Sequence, residues 1–171
     1  MSDILIQIVD EIDNAINAAS IDEAQLKGLF HRVSRVMVED DEQNVVIQKR
    51  PADMPTYPNC WDCSAAGHVD AGEAYDVAAA REMKEEIGLS GLDLEEVGYY
   101  KTLNEQGNRH LKRFNKSYKT VVKRSETVIM PDHDEVVEAK WIAISELKED
   151  IASKPDNYTD GLKEHVARFY Q

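Results

Sequence analysis

Three glutamates crowd a single short stretch, R-E-M-K-E-E, at Glu82, Glu85 and Glu86. On an α-helix the i, i+3 and i+4 spacing puts all three carboxylates on one face, where like charges repel. Salt partners, solvent or a cation must relieve that repulsion. Arg81 and Lys84 could serve, which makes a solvated acidic helix face the plain reading. The residues ahead of the helix point further. A glycine turn lets backbone approach a ligand closely, and a helix N-terminus offers free N–H groups to an anion. Oxygen-only ligands on a rigid helix suit Mg2+ or Mn2+, which keep several waters and take further ligands from substrate phosphates. That combination performs phosphate chemistry.

The spacing of these residues is specific. Gly67, five residues, Glu73, seven residues, Arg81-Glu82, Met83, Lys84, Glu85-Glu86, Ile87, Gly88 and Leu89 resemble the Nudix box, G-x5-E-x7-R-E-U-x-E-E-x-G-U, at every specified position. The resemblance implies an α/β fold, an α/β/α sandwich with a mixed β-sheet in which the box forms a loop, a helix and a loop. It implies Glu82, Glu85 and Glu86 as ligands of Mg2+ or Mn2+, and Gly67 as a backbone position beside a pyrophosphate. Glu73 and Arg81 would pair to hold loop against helix, and Gly88 would end the helix. Members of the family hydrolyse a nucleoside diphosphate linked to another moiety, by attack of a metal-activated water on phosphorus. A small-molecule diphosphate is therefore the implied substrate. Glu82, Glu85 and Arg81 form the implied catalytic set, with Glu85 the first candidate for the base and Glu105 and Glu135 the candidates outside the box.

The flanks resemble one branch of that family. L-F-H-R, V-V-I-Q-K-R and Y-P-N-C-W-D-C-S-A-A-G-H are similar to the proteins that resemble isopentenyl diphosphate isomerase, which makes an isomerase the second reading. That enzyme uses a cysteine directly before its Gly-His pair, where this chain has Ala66, a residue that can neither give nor take a proton. His31 and His68 stand where the isomerase has metal-binding histidines, but the later strand that should supply acids is basic: residues 109–124 hold seven Lys or Arg, one His and no acid. Arg113, Lys116 and Lys119 from this strand, with Gly67 and His68, are the candidate substrate contacts. A strand edge protected by lysines is the plain alternative for the three cations. A non-catalytic nucleotide sensor, a third reading, would be expected to lose a metal glutamate or the glycine, and every one is present. RNA processing would need a broader basic track.

Composition narrows the class. The 171 residues suit one domain, and with 42% apolar and 31% charged residues the chain reads as globular. A formal net charge of −13 argues against a general nucleic-acid or anionic-membrane surface. No run approaches the roughly 18 apolar residues of a membrane span, and the start lacks a basic region before an apolar core, so the expected location is the cytoplasm. Cys60 and Cys63 are the only cysteines. Their C-x-x-C spacing admits a redox pair or half a zinc site, but without a second pair they read as reduced structural thiols.

These residues need elements to hold them. Ile4, Ile8, Ile12 and Ile16 recur every fourth residue, which predicts an amphipathic helix over 3–18. That helix packs on the domain or offers a homodimer seam. Ser20 through Glu23 read as a capping box opening a second helix that stops at Gly28. Residues 1–28 thus form an expected N-terminal helical extension and 29–171 the Nudix hydrolase domain. From 31 the pattern turns β-branched, giving a hairpin around E-D-D-E-Q-N, then a proline-marked loop over 51–60. A helix is expected over 74–88, strands at 94–103, 113–123, 126–130 and 137–143, and helices near 146–153 and 160–170 with Ser145 and Thr159 as N-caps. Phe114, Tyr118 and Val122 should face the core. Substrate selectivity is assigned to the loops 51–60 and 104–112.

Overall fold

Strand alternation explains the layering of the computed structural model, which describes residues 4–171. In β3 (His31–Glu39) and β4 (Asn44–Lys49), Val36, Val38 and Val46 point to one face of the sheet and meet Ala79, Met83 and Ile87 of helix α2 (Tyr75–Ile87). Met37, Val45 and Ile47 point to the other face and meet Leu147 of α3 (Ile144–Ser153) and Leu162 and Val166 of α4 (Asp160–Phe169). Each fully buried Met, Ile or Leu contributes about 1.5–3 kcal/mol by leaving water. Both sheet faces are therefore covered, and the expected α/β/α sandwich is found.

One nine-stranded mixed sheet runs through the molecule. Its centre is β3, which pairs in parallel with β8 (Arg109–Val121) from His31↔Arg113 to Glu39↔Val121. The opposite edge of β3 meets three partners in turn, all antiparallel: β1 (Ile6–Val9) at Ile8↔His31, β6 (Ala65–His68) from Val33↔His68 to Val36↔Ala65, and β4 at Glu39↔Val45. Beyond that single pair, β4 leaves β3 and pairs with β5 (Trp61–Asp62), while β9 (Glu138–Ala143) follows its other edge from Asn44 to Lys49. The splay would strand backbone groups of both strands. Ser64 fills it: its hydroxyl accepts from the Val38 N–H at 2.8 Å and donates to the Val46 carbonyl.

The N-terminal segment differs from the expected helix. Residues 6–9 and 15–19 are antiparallel strands β1 and β2 (Ala15–Ala19). Ile8 is buried, whereas Ile4, Ile12 and Ile16 are exposed, so the four isoleucines share no face and the helical dimer seam is absent. The cause is a turn. Asp10 accepts from the N–H groups of Ile12 and Asn14 and from the Asn14 amide, and Asp13 takes a positive φ of 67°. Asp40 and Asn44 repeat the device in the β3–β4 hairpin, with Gln43 at φ 63°. Asp13 then docks the hairpin on the domain, accepting from Arg32 Nε (2.7 Å), Tyr75 OH (2.9 Å) and Tyr99 OH (2.8 Å). The segment is thus part of the main sheet. Helix α1 (Ile21–Lys27) is as expected, capped by Ser20 and ended by Gly28 in the left-handed conformation.

Three smaller expectations also change. Residues 104–112 are mostly strand, because β7 (Glu95–Gln106) and β8 form a long hairpin turning at Gly107. Residues 126–130 are not a strand: Met130 N–H instead bonds the Ile87 carbonyl, closing over the end of α2. Helix α3 starts one residue before Ser145, which leaves that hydroxyl inside the first turn, whereas Thr159 does cap α4 by accepting from the Leu162 N–H. Phe114, Tyr118 and Val122 are buried. No helix of the described residues is long and apolar enough to cross a membrane.

Candidate active site

A cavity of about 350 Å3 opens between α2, β6 and the 54–57 loop. Helix α2 supplies its acidic wall. Arg81 fixes that wall through a fork: Nε and Nη2 each donate to Glu73 at 3.0 Å, Nη2 reaches the His68 carbonyl at 3.0 Å, and Nη1 donates to Glu82 at 2.7 Å and to Glu85 at 3.1 Å. A bidentate guanidinium–carboxylate contact is directional as well as strong. The Glu73–Arg81 pair thus holds the 69–74 loop against the helix. Gly88 ends the helix at φ 73°.

Glu82, Glu86 and Glu135 converge: each places a carboxylate oxygen within 4.8 Å of the others. Glu86 is buried, and its Oε2 accepts from the Ala66 N–H at 2.9 Å and from Gln48 Nε2 at 2.8 Å. Glu135 lies on the loop before β9, which is pinned to the end of α2 by Met130 N–H to Ile87 O and Asp132 N–H to Glu86 O. Burial pushes the Glu82 carboxyl up to about 7 against the pull of Arg81, and pushes Glu86 well above the usual carboxylate range. Glu135 is raised as well, by burial and then by Glu85. Carboxylates that resist ionisation together are those a cation would release. The oxygen-only donor set fits a hard divalent ion.

Of the residues singled out from the sequence, Gly67, His68, Arg81, Glu82, Glu85, Glu86 and Arg113 line this cavity. Glu85 stands at its rim and outside the convergent three. Lys116 and Lys119 lie elsewhere, paired with Glu96 and Glu95, because Lys116 alternates to the other face of β8 and Lys119 sits six residues along the strand. Glu105 pairs with His110 on the β7–β8 hairpin. The 54–57 loop contributes Met54, Pro55, Thr56 and Tyr57, whereas 104–112 contributes none of the lining. Gln48, which orients Glu86, escaped the sequence reading, as did Arg35, Arg50 and Asp62 on the cavity wall.

The histidines and cysteines divide differently. His31 and His68 are neighbours, ring centroids 5.2 Å apart, and Nε2 of each lacks a partner. Burial pushes His31 down to about 4 and His68 well below its ordinary value, so both are neutral. On β8 the residue that pairs in register with His31 is a cation, Arg113. Cys63 is fully buried with its thiol pushed up by burial, and Cys60 donates to the Asp156 carbonyl. Neither thiol has the electropositive, accessible setting of a reactive cysteine.

Both the sequence and the fold match known proteins. The NUDIX domain model matches residues 29–162. A prenyl-diphosphate phosphatase of Methanosarcina mazei is 28% identical over 98% of this chain and 95% of its own length. Isopentenyl-diphosphate Delta-isomerase 2 of Photorhabdus laumondii is 32% identical over 97% of this chain and 92% of its own. Among solved structures, DR0079 from Deinococcus radiodurans shares the fold with a TM-score of 0.80, at 20% identity over 98% of this chain and 99% of that one. The chain belongs to the NUDIX domain family, among the Nudix hydrolases.

Proposed function

We propose that the chain is a divalent-cation-dependent pyrophosphohydrolase for a small diphosphate. The observation that carries this reading is the convergence of Glu82, Glu86 and Glu135 in a cavity that Arg35, Arg50 and Arg113 also line. Those three carboxylates would hold Mg2+ or Mn2+, with Glu85 beside them. A bound divalent ion neutralises phosphate oxygens and lowers the pKa of coordinated water. The protein's own residues do the positioning. Gln48 and the Ala66 N–H fix the Glu86 carboxylate, and Arg81 fixes Glu82 against the loop. Glu85 bonds Arg81 through Oε2 only, which leaves Oε1 able to take a proton from water at the cavity rim.

Isomerisation is the second reading, favoured by the unpartnered His31 and His68 nitrogens and by relatives named as isomerases. It is opposed by Ala66, which has no proton to exchange, and by Arg113, a cation at the β8 position beside the histidines.

The test is diphosphate-bond cleavage over a panel comprising isopentenyl diphosphate, nucleoside diphosphates, nucleotide sugars and dinucleotides, with and without Mg2+, beside Glu86→Gln, read as free phosphate for the first two and as phosphomonoester products for the others. The relatives named for prenyl and isopentenyl diphosphates put isopentenyl diphosphate first in the panel. Metal-dependent cleavage lost in the variant supports hydrolysis. Double-bond migration in isopentenyl diphosphate without phosphate release would replace it with the isomerase reading.

A further inference from the structure

The cavity that the carboxylates line also has three arginines in its wall, Arg35, Arg50 and Arg113. Arg113 is 7% exposed, its Nε has no acceptor, and none of its guanidinium nitrogens meets a carboxylate among the described residues. Arg35 and Arg50 share one acid, Asp62, at 3.7 Å and 3.6 Å. Asp62 is itself committed, accepting from the Cys63 N–H and the Thr159 hydroxyl at 2.8 Å each. Three guanidiniums thus face one carboxylate, an excess of two positive charges in a buried wall.

An unpaired buried charge is strongly destabilising and persists where a ligand completes it. Burial, then repulsion from Arg35, pushes the Arg113 guanidinium down to about 10, which registers the same deficit of negative charge. The crowding is deliberate in the backbone too. A β-carbon on Gly161 would sit 2.2 Å from Arg35 Nη1, so any side chain there would displace that guanidinium.

We infer that Arg35, Arg50 and Arg113 form an anion subsite that receives a phosphate group of the substrate, with Arg113 as its specificity-determining residue. The inference takes its substrate from the hydrolase reading, but the anion binding itself stands apart from turnover. The phosphate has two sources. It is either the terminal group of the diphosphate or a second phosphate at the far end of the molecule.

The experiment is thermal melting of wild type, Arg113→Gln and Arg113→Lys in EDTA, titrated with inorganic phosphate and with pyrophosphate. Wild type should gain melting temperature with either anion. Arg113→Gln should melt no lower than wild type without anion, because an unsatisfied cation is gone, and should lose the anion-induced gain, while Arg113→Lys keeps part of it. An equal gain in wild type and Arg113→Gln, or no gain in wild type, overturns the subsite. Turnover then separates the sources. Arg113→Gln should raise KM on the order of 30-fold. A rise for isopentenyl diphosphate assigns the terminal phosphate, whereas a rise confined to substrates phosphorylated at both ends assigns the distal one. Should the whole panel resist hydrolysis while Arg113-dependent phosphate binding persists, the hydrolase reading falls and the subsite stands.

Discussion

Gly67 and Glu82 are packed so closely that a β-carbon on Gly67 would lie 1.9 Å from Glu82 Oε1. The glycine that opens the sequence motif therefore makes room for the carboxylate that α2 presents across from β6. Arg81 holds that carboxylate at 2.7 Å, so it cannot swing aside without breaking the fork. Gly67→Ala should leave the fold intact and displace Glu82. Metal-dependent turnover should fall on the order of a hundredfold, with a higher Mg2+ requirement, since loss of ligand geometry costs metal affinity. Turnover at saturating Mg2+ equal to wild type would count against this role of Gly67.

Gln48 offers a gentler perturbation of the same centre. Its amide donates to Glu86 from β4, behind the carboxylate. Gln48→Met keeps the volume and removes the donor. Mg2+ affinity should drop about 10–100-fold, as for other groups that orient metal ligands. Unchanged affinity by calorimetric titration would show that the Ala66 N–H suffices to orient Glu86.

Ser64 separates stability from chemistry. Ser64→Ala leaves the Val38 N–H and Val46 carbonyl unpaired in the core and should cost about 1–3 kcal/mol. Urea denaturation should show this, with KM unaffected in the folded fraction. A wild-type midpoint would mean that the strands close the gap themselves.

The buried histidines set an acid-side slope. His165, packed against the Phe169 ring at 4.9 Å, is pushed down to about 3 by burial and then by Arg35, and His31 to about 4 by burial. Their unfolded value is about 6.5, so the unfolded chain binds more protons at lower pH. Their contribution is complete above about 6.5 and is lost as pH falls toward 4, by about 1.4 kcal/mol per unit for each group. The raised carboxyls of Glu82 and Glu86 act in the opposite sense, so the readout is a difference. His165→Asn should melt with a shallower dependence between pH 6.5 and 4 than wild type. Parallel curves would mean that His165 titrates normally.

What the sequence disclosed, and what it hid, follows from the range of the forces. Helix α2, its Gly88 end, the Ser20 cap and the β-branched β3 and β4 rest on neighbours a few residues away, and all were readable. The Asp10–Asn14 turn was also local, and its twin at Asp40–Asn44 was read as a hairpin. The every-fourth isoleucine pattern masked it, because a spacing of four satisfies helix and strand alike. In the site, the box glutamates were visible as a motif. Convergence of Glu135 with Glu82 and Glu86 was not, since it depends on a loop pinned to the end of α2 more than 40 residues earlier in the chain. Lys116 and Arg113 looked equivalent in a basic run, and strand alternation sent one to each face.

The most direct test of the central claim is hydrolysis of the best panel substrate by wild type and Glu82→Gln across a Mg2+ titration, with folding checked by circular dichroism. A carboxylate that belongs to the cation-binding centre predicts a folded variant whose turnover falls on the order of a hundredfold or more and whose Mg2+ dependence is weakened. A folded Glu82→Gln with wild-type turnover and Mg2+ dependence would contradict the account, because the convergence of Glu82, Glu86 and Glu135 would then have no part in the chemistry.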